Sequence, residues 1–381
     1  MDYYTNQKPS WQHDRLFHRA STSHFGDTLG IKIPKYLILQ NTTRIRILMV
    51  LVTFMLISAV SGCKRADTDG VRTIILAHAM HPTHPVSVAM QMMADSVSVF
   101  SDGKLNLKIY PSGQLGSERK LLELMQIGMV GMTKVSAATM ENIVPAMRVF
   151  NLPYLFDDKA HILNVWDGQV GQDLLDEGLS YRIKGMAYYD AGSRSIYTVN
   201  RPIHTPADLR GLKLRVMESV TAMRLMRLMG GNPTPLAWGE LYTAFQGGIV
   251  DGAENNPPSF LSSRHYEVCK FYTMNEHSSI PDLLVMDPNL WNDLTDDEQN
   301  WLSNAIELSV EFQRKLWTQT EVSAMKRFEE AGVTIIYPDK SPFIEASKPL
   351  YDVIRETDPE LYTWVERIRN AKPEGNNAGR D

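Results

Sequence analysis

In the stretch GLKLRVMES, residues 211–219, a guanidinium and a thioether share one face of a strand-like pattern. Leu212, Leu214 and Val216 alternate onto one side, which leaves Lys213, Arg215 and Met217 on the other. A planar guanidinium gives two parallel charge-assisted hydrogen bonds to a carboxylate, where an ammonium gives only a point charge. Two environments account for such a face: a solvated strand surface, or a partly dry cleft in which a fixed cation meets an anion. Further polar residues gather at the ends of expected strands, where open α/β sheets hold their ligands. Arg194 follows MAYYDAG, Asn255 and Asn256 end IVDGAENN, Glu118 opens a helix, and Lys134 and Ser136 lie in MTKVS. Each alone fits an ordinary surface residue, but as a set they point to one binding site.

Other chemistries find less support. No GxxxxGK[ST] loop occurs, and GMVGMTKVS lacks its spacing, so nucleotide hydrolysis is not expected. His78, His81 and His84 crowd one strand end, but three-residue intervals do not share a strand face and no thiolate or carboxylate cluster accompanies them. No metal and no cofactor are therefore expected. Ser193 sits between Gly192 and Arg194 without the second glycine of a nucleophile elbow, and no nucleophile and base stand at a recognisable spacing. The expectation is a binding protein, not an enzyme.

The elements that must position these residues alternate. VRTIILAHAM reads as a strand, and PVSVAMQMMADSVSVF as a helix with Pro85 in its first turn. LNLKIY is a strand, Ser117 caps ERKLLELMQIG, and GMTKVSA returns as a strand. Strand and helix alternation at this spacing argues for a helix-covered parallel sheet. The pattern recurs in IKGMAYYDAG, RSIYTVN, a Thr205-capped turn, GLKLRV, and the helices TAMRLMRLMGG and WGELYTAFQGG. The methionines of MRLMRLM read as core packing. From Thr295, spaced with Glu298 as a capping box, one helical pattern runs to Gly332 and would span roughly 50 Å at 1.5 Å per residue. A helix of that reach can brace two domains.

The chain has 381 residues, 43% hydrophobic and 22% charged, enough for two α/β domains with cores of their own. Net charge is −5 with signs interspersed, which gives a nucleic-acid surface no support. The apolar run between Ile45 and Val60, preceded by Arg44 and Arg46, is short for a membrane span and fits a secretory signal ending at VSGC. Residues 1–43 are polar and unpatterned, as expected if translation starts further downstream. Cys269, in YEVCKFY, reads as a small buried hydrophobe.

With these stretches in view, the chain resembles the substrate-binding proteins of tripartite ATP-independent periplasmic (TRAP) transporters, the DctP family. The matching text includes YPSGQLGSERKLLELMQIG, FNLPYLF, RPIHTPADLRGLKLRVMES, GGNPTPLAWGELYTAFQGGIVDGAENNPPSF and HYEVCKFY, covering nearly everything from Val71 to about Ala371 in family order. The resemblance implies an α/β, two-domain, periplasmic-binding-protein-like (Venus-flytrap) fold with a long domain-spanning helix. It implies that Arg215 pairs with the substrate carboxylate, that Asn255 hydrogen-bonds the ligand from the opposite side, and that Arg194 is a second arginine near that carboxylate. Glu118, Lys134, Ser136 and His84 are implied for the other wall, Trp238 packs against the ligand, and Asn256 and Met217 complete the expected site. VSGC resembles a lipobox, implying lipid on Cys63.

The doubled ENN and PPSF resemble members that bind sugar acids, particularly hexuronates, and the hydroxyl-bonding groups suit a sugar better than a short dicarboxylate. The expectation is a monomeric extracytoplasmic lipoprotein that delivers glucuronate or galacturonate to the small and large membrane subunits of a permease. A C4-dicarboxylate or other small oxo acid is the alternative ligand, and a secreted enzyme acting on acidic sugars the alternative class. The expected division is a leader at 1–43, a lipoprotein signal peptide at 44–62, a tether at 63–70, a first lobe of 71–191 with 281–320, a second of 192–280 with 321–372, and a disordered tail at 373–381.

Overall fold

The computed structural model describes residues 70–372. The expected leader, signal peptide, lipidated Cys63 and C-terminal tail lie outside the described residues.

The alternation read from the sequence is present from the start. β1 (Arg72–Ala77), α1 (Pro85–Phe100), β2 (Leu105–Tyr110), α2 (Glu118–Gln126) and β3 (Met132–Ser136) follow one another. Pro85 stands in the first turn of α1, and the Ser117 hydroxyl accepts the Lys120 N–H to cap α2. Then come α3 (Ala137–Met140), a 3₁₀ segment at Pro145–Asn151, α4 (Lys159–Asp167), α5 (Gln169–Glu177) and β4 (Lys184–Tyr189). The next stretch runs β5 (Arg194–Thr198), β6 (Lys213–Val216), α6 (Val220–Leu228), β7 (Asn232–Pro235), α7 (Leu241–Gln246), β8 (Gly252–Asn255), α8 (Pro257–Ser262) and β9 (Phe271–Ser278). The chain closes with β10 (Asp282–Met286), α9 (Pro288–Asn292), α10 (Asp296–Glu330), β11 (Thr334–Ile336), α11 (Ser341–Thr357) and α12 (Pro359–Asn370).

Two sheets result. The first has the order β2-β1-β3-β10-β4 and the second β11-β9-β5-β8-β6-β7. β1 pairs in parallel with β2 and β3, whereas β10 runs antiparallel to β3 and β4. β5 is antiparallel to both of its neighbours, and β6 is parallel to β7 and β8. The chain therefore crosses between sheets twice by strand: from β4 to β5, and back from β9 to β10. At the first crossover Gly192 has φ of +56°, and a Cβ there would come within 2.6 Å of Glu321 Oε1 and 2.9 Å of Trp317 Nε1. Only glycine satisfies both the left-handed backbone and the close approach of α10.

Helix α10 runs for 35 residues and its capping box joins Thr295 and Glu298 as expected. Its N-terminal half lays Leu302, Ala305 and Ile306 into a core with Met90 and Met93 of α1 and Leu284 and Met286 of β10. Its C-terminal half puts Ala324 and Phe328 into a separate aromatic core with Tyr197, Phe260 and Tyr272. Burying each such large side chain is worth about 1.5–3 kcal/mol, so one helix is anchored independently to both sheets. A third core lies between them, joining Phe150 and Leu283 to Leu214, Met226, Met229, Phe343 and Trp364. The methionines at 226 and 229 are thus packed, as expected. The last helix turns back: His161 bonds the Ile368 carbonyl at 2.8 Å, and Asn164 donates to that of Ala371 at 2.9 Å.

Candidate functional site

The strand ends of the two sheets face a common cavity of about 290 Å³. β3 delivers Lys134 and Ser136, and β10, paired with it so that Asp282 lies opposite Ser136, delivers Asp282. From the second sheet come Arg194 at the start of β5, Arg215 on β6 and Asn255 at the end of β8. Glu118 opens α2, Asn256 caps α8, and Met217 and Trp238 stand in the loops after β6 and β7. Nine of the ten predicted ligand-site residues therefore line one space, since His84 is not among the lining residues.

The charged groups within this cavity are not equivalent. Lys134 is 1% exposed and reaches Glu118 Oε1 at 2.7 Å and Asp282 Oδ1 at 3.1 Å. Burial opposes its charge, but Asp282 and Glu118 overcome this and hold the ammonium protonated above the usual lysine range. The second oxygen of Glu118 accepts the Ser136 N–H at 3.2 Å and the Thr139 hydroxyl at 3.0 Å. Arg194 is tied as firmly. Its Nε pairs with Glu254 Oε2, while Nη2 donates to Glu254 Oε1 at 3.0 Å and to the Glu254 carbonyl at 2.8 Å. Nη1 donates to Asn255 Oδ1 at 2.8 Å, which also accepts the Asn256 N–H at 2.9 Å. Burial would raise the Glu254 carboxyl, yet Arg194, with help from His277, holds it down to about 2.

Arg215 differs. It is 3% exposed, its Nε donates to the Leu236 carbonyl at 2.9 Å, and its Nη1 is buried without a partner. Burial pulls its pKa below the usual guanidinium range, against an opposing pull from Glu254, which is itself ion-paired with Arg194. The Trp238 ring lies 5.6 Å from the guanidinium carbon, within cation–π range. Met217 is buried on the same cavity wall. The shared face of Arg215 and Met217 is the lining of a cleft, not a solvated surface.

One expectation, His84, needs correction. His84 caps α1 through Nδ1, which accepts the Val86 N–H at 3.2 Å, and its Nε2 meets Ser259 Oγ at 3.1 Å. The ring is committed to the helix end and stands behind the wall, with Ser259 as the lining residue. Burial, then Lys134, pushes its pKa down to about 3, so it is neutral. Arg194 lines the cavity with Arg215, already neutralised by Glu254 and holding Asn255 in place.

Sequence reasoning missed Asp282 and Glu254. Asp282 opens the otherwise apolar DLLVM, a carboxylate at a strand end of the kind that marked the other residues. Glu254 was in DGAENN but was passed over for its two neighbours, and only the β5/β8 pairing, with Ser195 opposite Asn255, brings it to Arg194. Cys269 is fully buried, and burial holds its thiol far above the usual range, as a small hydrophobe should be.

Against known proteins, residues 76–358 match the family described as bacterial extracellular solute-binding protein, family 7, DctP. The chain is 37% identical to YiiZ of Salmonella typhimurium over 84% of this chain and 97% of that one. It is 38% identical to a TRAP periplasmic solute-binding protein from Xanthobacter autotrophicus, solved with bound β-D-galacturonate, with a TM-score of 0.75 over 78% of this chain and all (100%) of that one. It is 34% identical to one from Roseobacter denitrificans, solved with bound β-D-glucuronate, with a TM-score of 0.76 over 79% of this chain and 100% of that one. The family match spans most of the chain and the fold is shared with relatives more than a third identical, so the chain belongs to the DctP family of bacterial extracellular solute-binding proteins.

Proposed function

We propose that this protein is the extracytoplasmic receptor of a TRAP transporter for a hexuronate, glucuronate or galacturonate, captured through Arg215 and delivered to the small and large membrane subunits of its permease. The observation that carries this is Arg215, a buried guanidinium with an unpartnered Nη1, on the wall of a cavity whose other cations, Lys134 and Arg194, are already ion-paired. A desolvated guanidinium without a counter-ion is costly, and a ligand carboxylate supplies the missing charge and both acceptors. Glu118 and Asp282 outnumber Lys134 and offer carboxylate acceptors for sugar hydroxyls, while Asn255 and Asn256, whose amide oxygens accept within the chain, offer amide N–H donors. The relatives from Xanthobacter autotrophicus and Roseobacter denitrificans, which hold galacturonate and glucuronate, support the same ligand class here.

The family match and the ligand-holding structural neighbours are solute-binding proteins, which supports a receptor rather than an enzyme. VSGC at Val60 to Cys63 supports a lipid tether at Cys63. Micromolar capture requires about 8 kcal/mol. A thermal-shift screen of organic acids on the purified protein decides the ligand: glucuronate or galacturonate raises Tm while succinate does not. The reverse order would replace the sugar acid by a C4-dicarboxylate, and a chemically altered sugar recovered after incubation would replace the receptor by an enzyme.

A further inference from the structure

A second cavity of about 820 Å³ adjoins the first, and Ala79, Ser112, Trp238 and Gly239 line both. At Gly239 a Cβ would meet nothing within 4 Å, so no side chain narrows the passage on that side. The inner cavity, at about 290 Å³, lies at the small end of ligand sites and suits one sugar ring. A group attached to that ring has this outer space to enter.

The outer walls come from both halves of the molecule: His81 and Thr83 precede α1, Tyr242 lies on α7, Ser262 on α8 and Thr320 on α10. Trp238 and Tyr242 both pack against His265, with ring centroids 5.2 and 6.3 Å away, and provide apolar ring surface for the C–H face of a pyranose. The hydroxyls of Ser262 and Thr320 donate to carbonyls of their own helices at 3.4 and 2.8 Å and keep lone pairs for incoming donors. Charge separates this space from the inner one. Arg264 donates to Glu267 Oε1 at 2.7 Å, and the Tyr242 hydroxyl donates to Glu267 Oε2 at 2.9 Å, so the guanidinium on this wall is already neutralised. The inner cavity calls for an acid and the outer one for a neutral polyol.

We infer that the receptor also takes an aldobiouronic acid, a disaccharide of one uronic acid and one neutral sugar, with its carboxylate at Arg215 and its neutral ring between Trp238 and Tyr242. This rests on the hexuronate reading of the inner cavity. Isothermal titration of the wild type with glucuronate and with glucuronosyl-xylose gives dissociation constants within about tenfold of each other. Tyr242→Ala, outside the inner cavity, weakens the disaccharide by about tenfold and glucuronate by less than twofold. Binding of glucuronate without the disaccharide overturns the inference and leaves the hexuronate reading intact, and equal weakening of both sugars by Tyr242→Ala also overturns it. Binding of neither sugar, with galacturonate also unbound, removes the hexuronate reading and the inference with it.

Discussion

Arg194 and Arg215 lie on strands that flank β8 in one sheet, both are buried, and both face one cavity, yet they do opposite things. Around Arg194 the fold has supplied everything a guanidinium needs: a carboxylate, a carbonyl and a side-chain amide. Around Arg215 it has supplied one carbonyl and an aromatic face, and left the rest open. Burial of a charge is tolerated when it is paired within the chain, and where it is not, the pairing has been left to a ligand. A cation in a cavity is thus a poor guide to binding until its partners are counted. Lys134, paired with both Glu118 and Asp282, belongs with Arg194 in this respect.

The largest effect that can break this comparison is on binding. Arg215→Ala leaves a hexuronate carboxylate buried without a counter-charge and lowers affinity by some hundreds-fold, roughly 3–5 kcal/mol, while the ligand-free protein melts no lower than wild type. Titration calorimetry and ligand-free melting curves read the two halves of that statement. Unchanged affinity would mean that Arg215 is not the ligand's partner, and a collapse of the ligand-free protein would mean that it is structural like Arg194.

Glu254→Gln tests the other side. Removing the carboxylate strands the Arg194 charge in a dry site and costs about 3 kcal/mol of stability, seen in denaturant unfolding before any ligand is added. A stable variant with weakened uronate binding would make Arg194 a ligand arginine after all.

The smallest effect concerns the neutral imidazole that each half keeps near its cation. Burial, then Arg215, lowers His265 to about 3, and burial, then Lys134, lowers His84 to about 3. A base with a depressed native pKa binds its proton more readily when unfolded, so each costs stability as pH falls below 6.5 toward about 3. Glu254 works in another window, since its contribution is complete above 4.5 and lost only as pH falls toward about 2. Stability of His84→Asn, which retains a helix cap, should therefore fall less steeply than wild type between pH 6 and 4, by about 1.4 kcal/mol per pH unit. Parallel slopes in urea melts across that range would show that His84 is not the buried neutral group described.

Much of the frame was legible in the one-dimensional pattern. Pro85, Ser117, Thr205 and the Thr295 and Glu298 pair marked element starts through local chemistry, and the structure places helices or a 3₁₀ turn at each of them. Of the ten residues named at strand ends and by resemblance, nine meet in the cavity, because strand ends of an α/β sheet converge on one edge. His84 failed for the same local reason that made it conspicuous: a histidine just before Pro85 is well placed to cap α1, and the cap turned it away from the cleft.

What the chain's order of residues could not decide was which cation stays unpaired. Glu254 is 60 residues from Arg194 and Asp282 is 148 from Lys134, so their pairing is set by strand register and by the return of β10 to the first sheet. Sequence alone determined that arginines, a lysine and acids would gather at one edge, since periodicity and turn chemistry act over a few residues. Tertiary structure determined that Arg215 alone among Arg194, Arg215 and Lys134 would keep a buried polar atom without a partner, because ion pairing depends on distances that only the assembled sheets define.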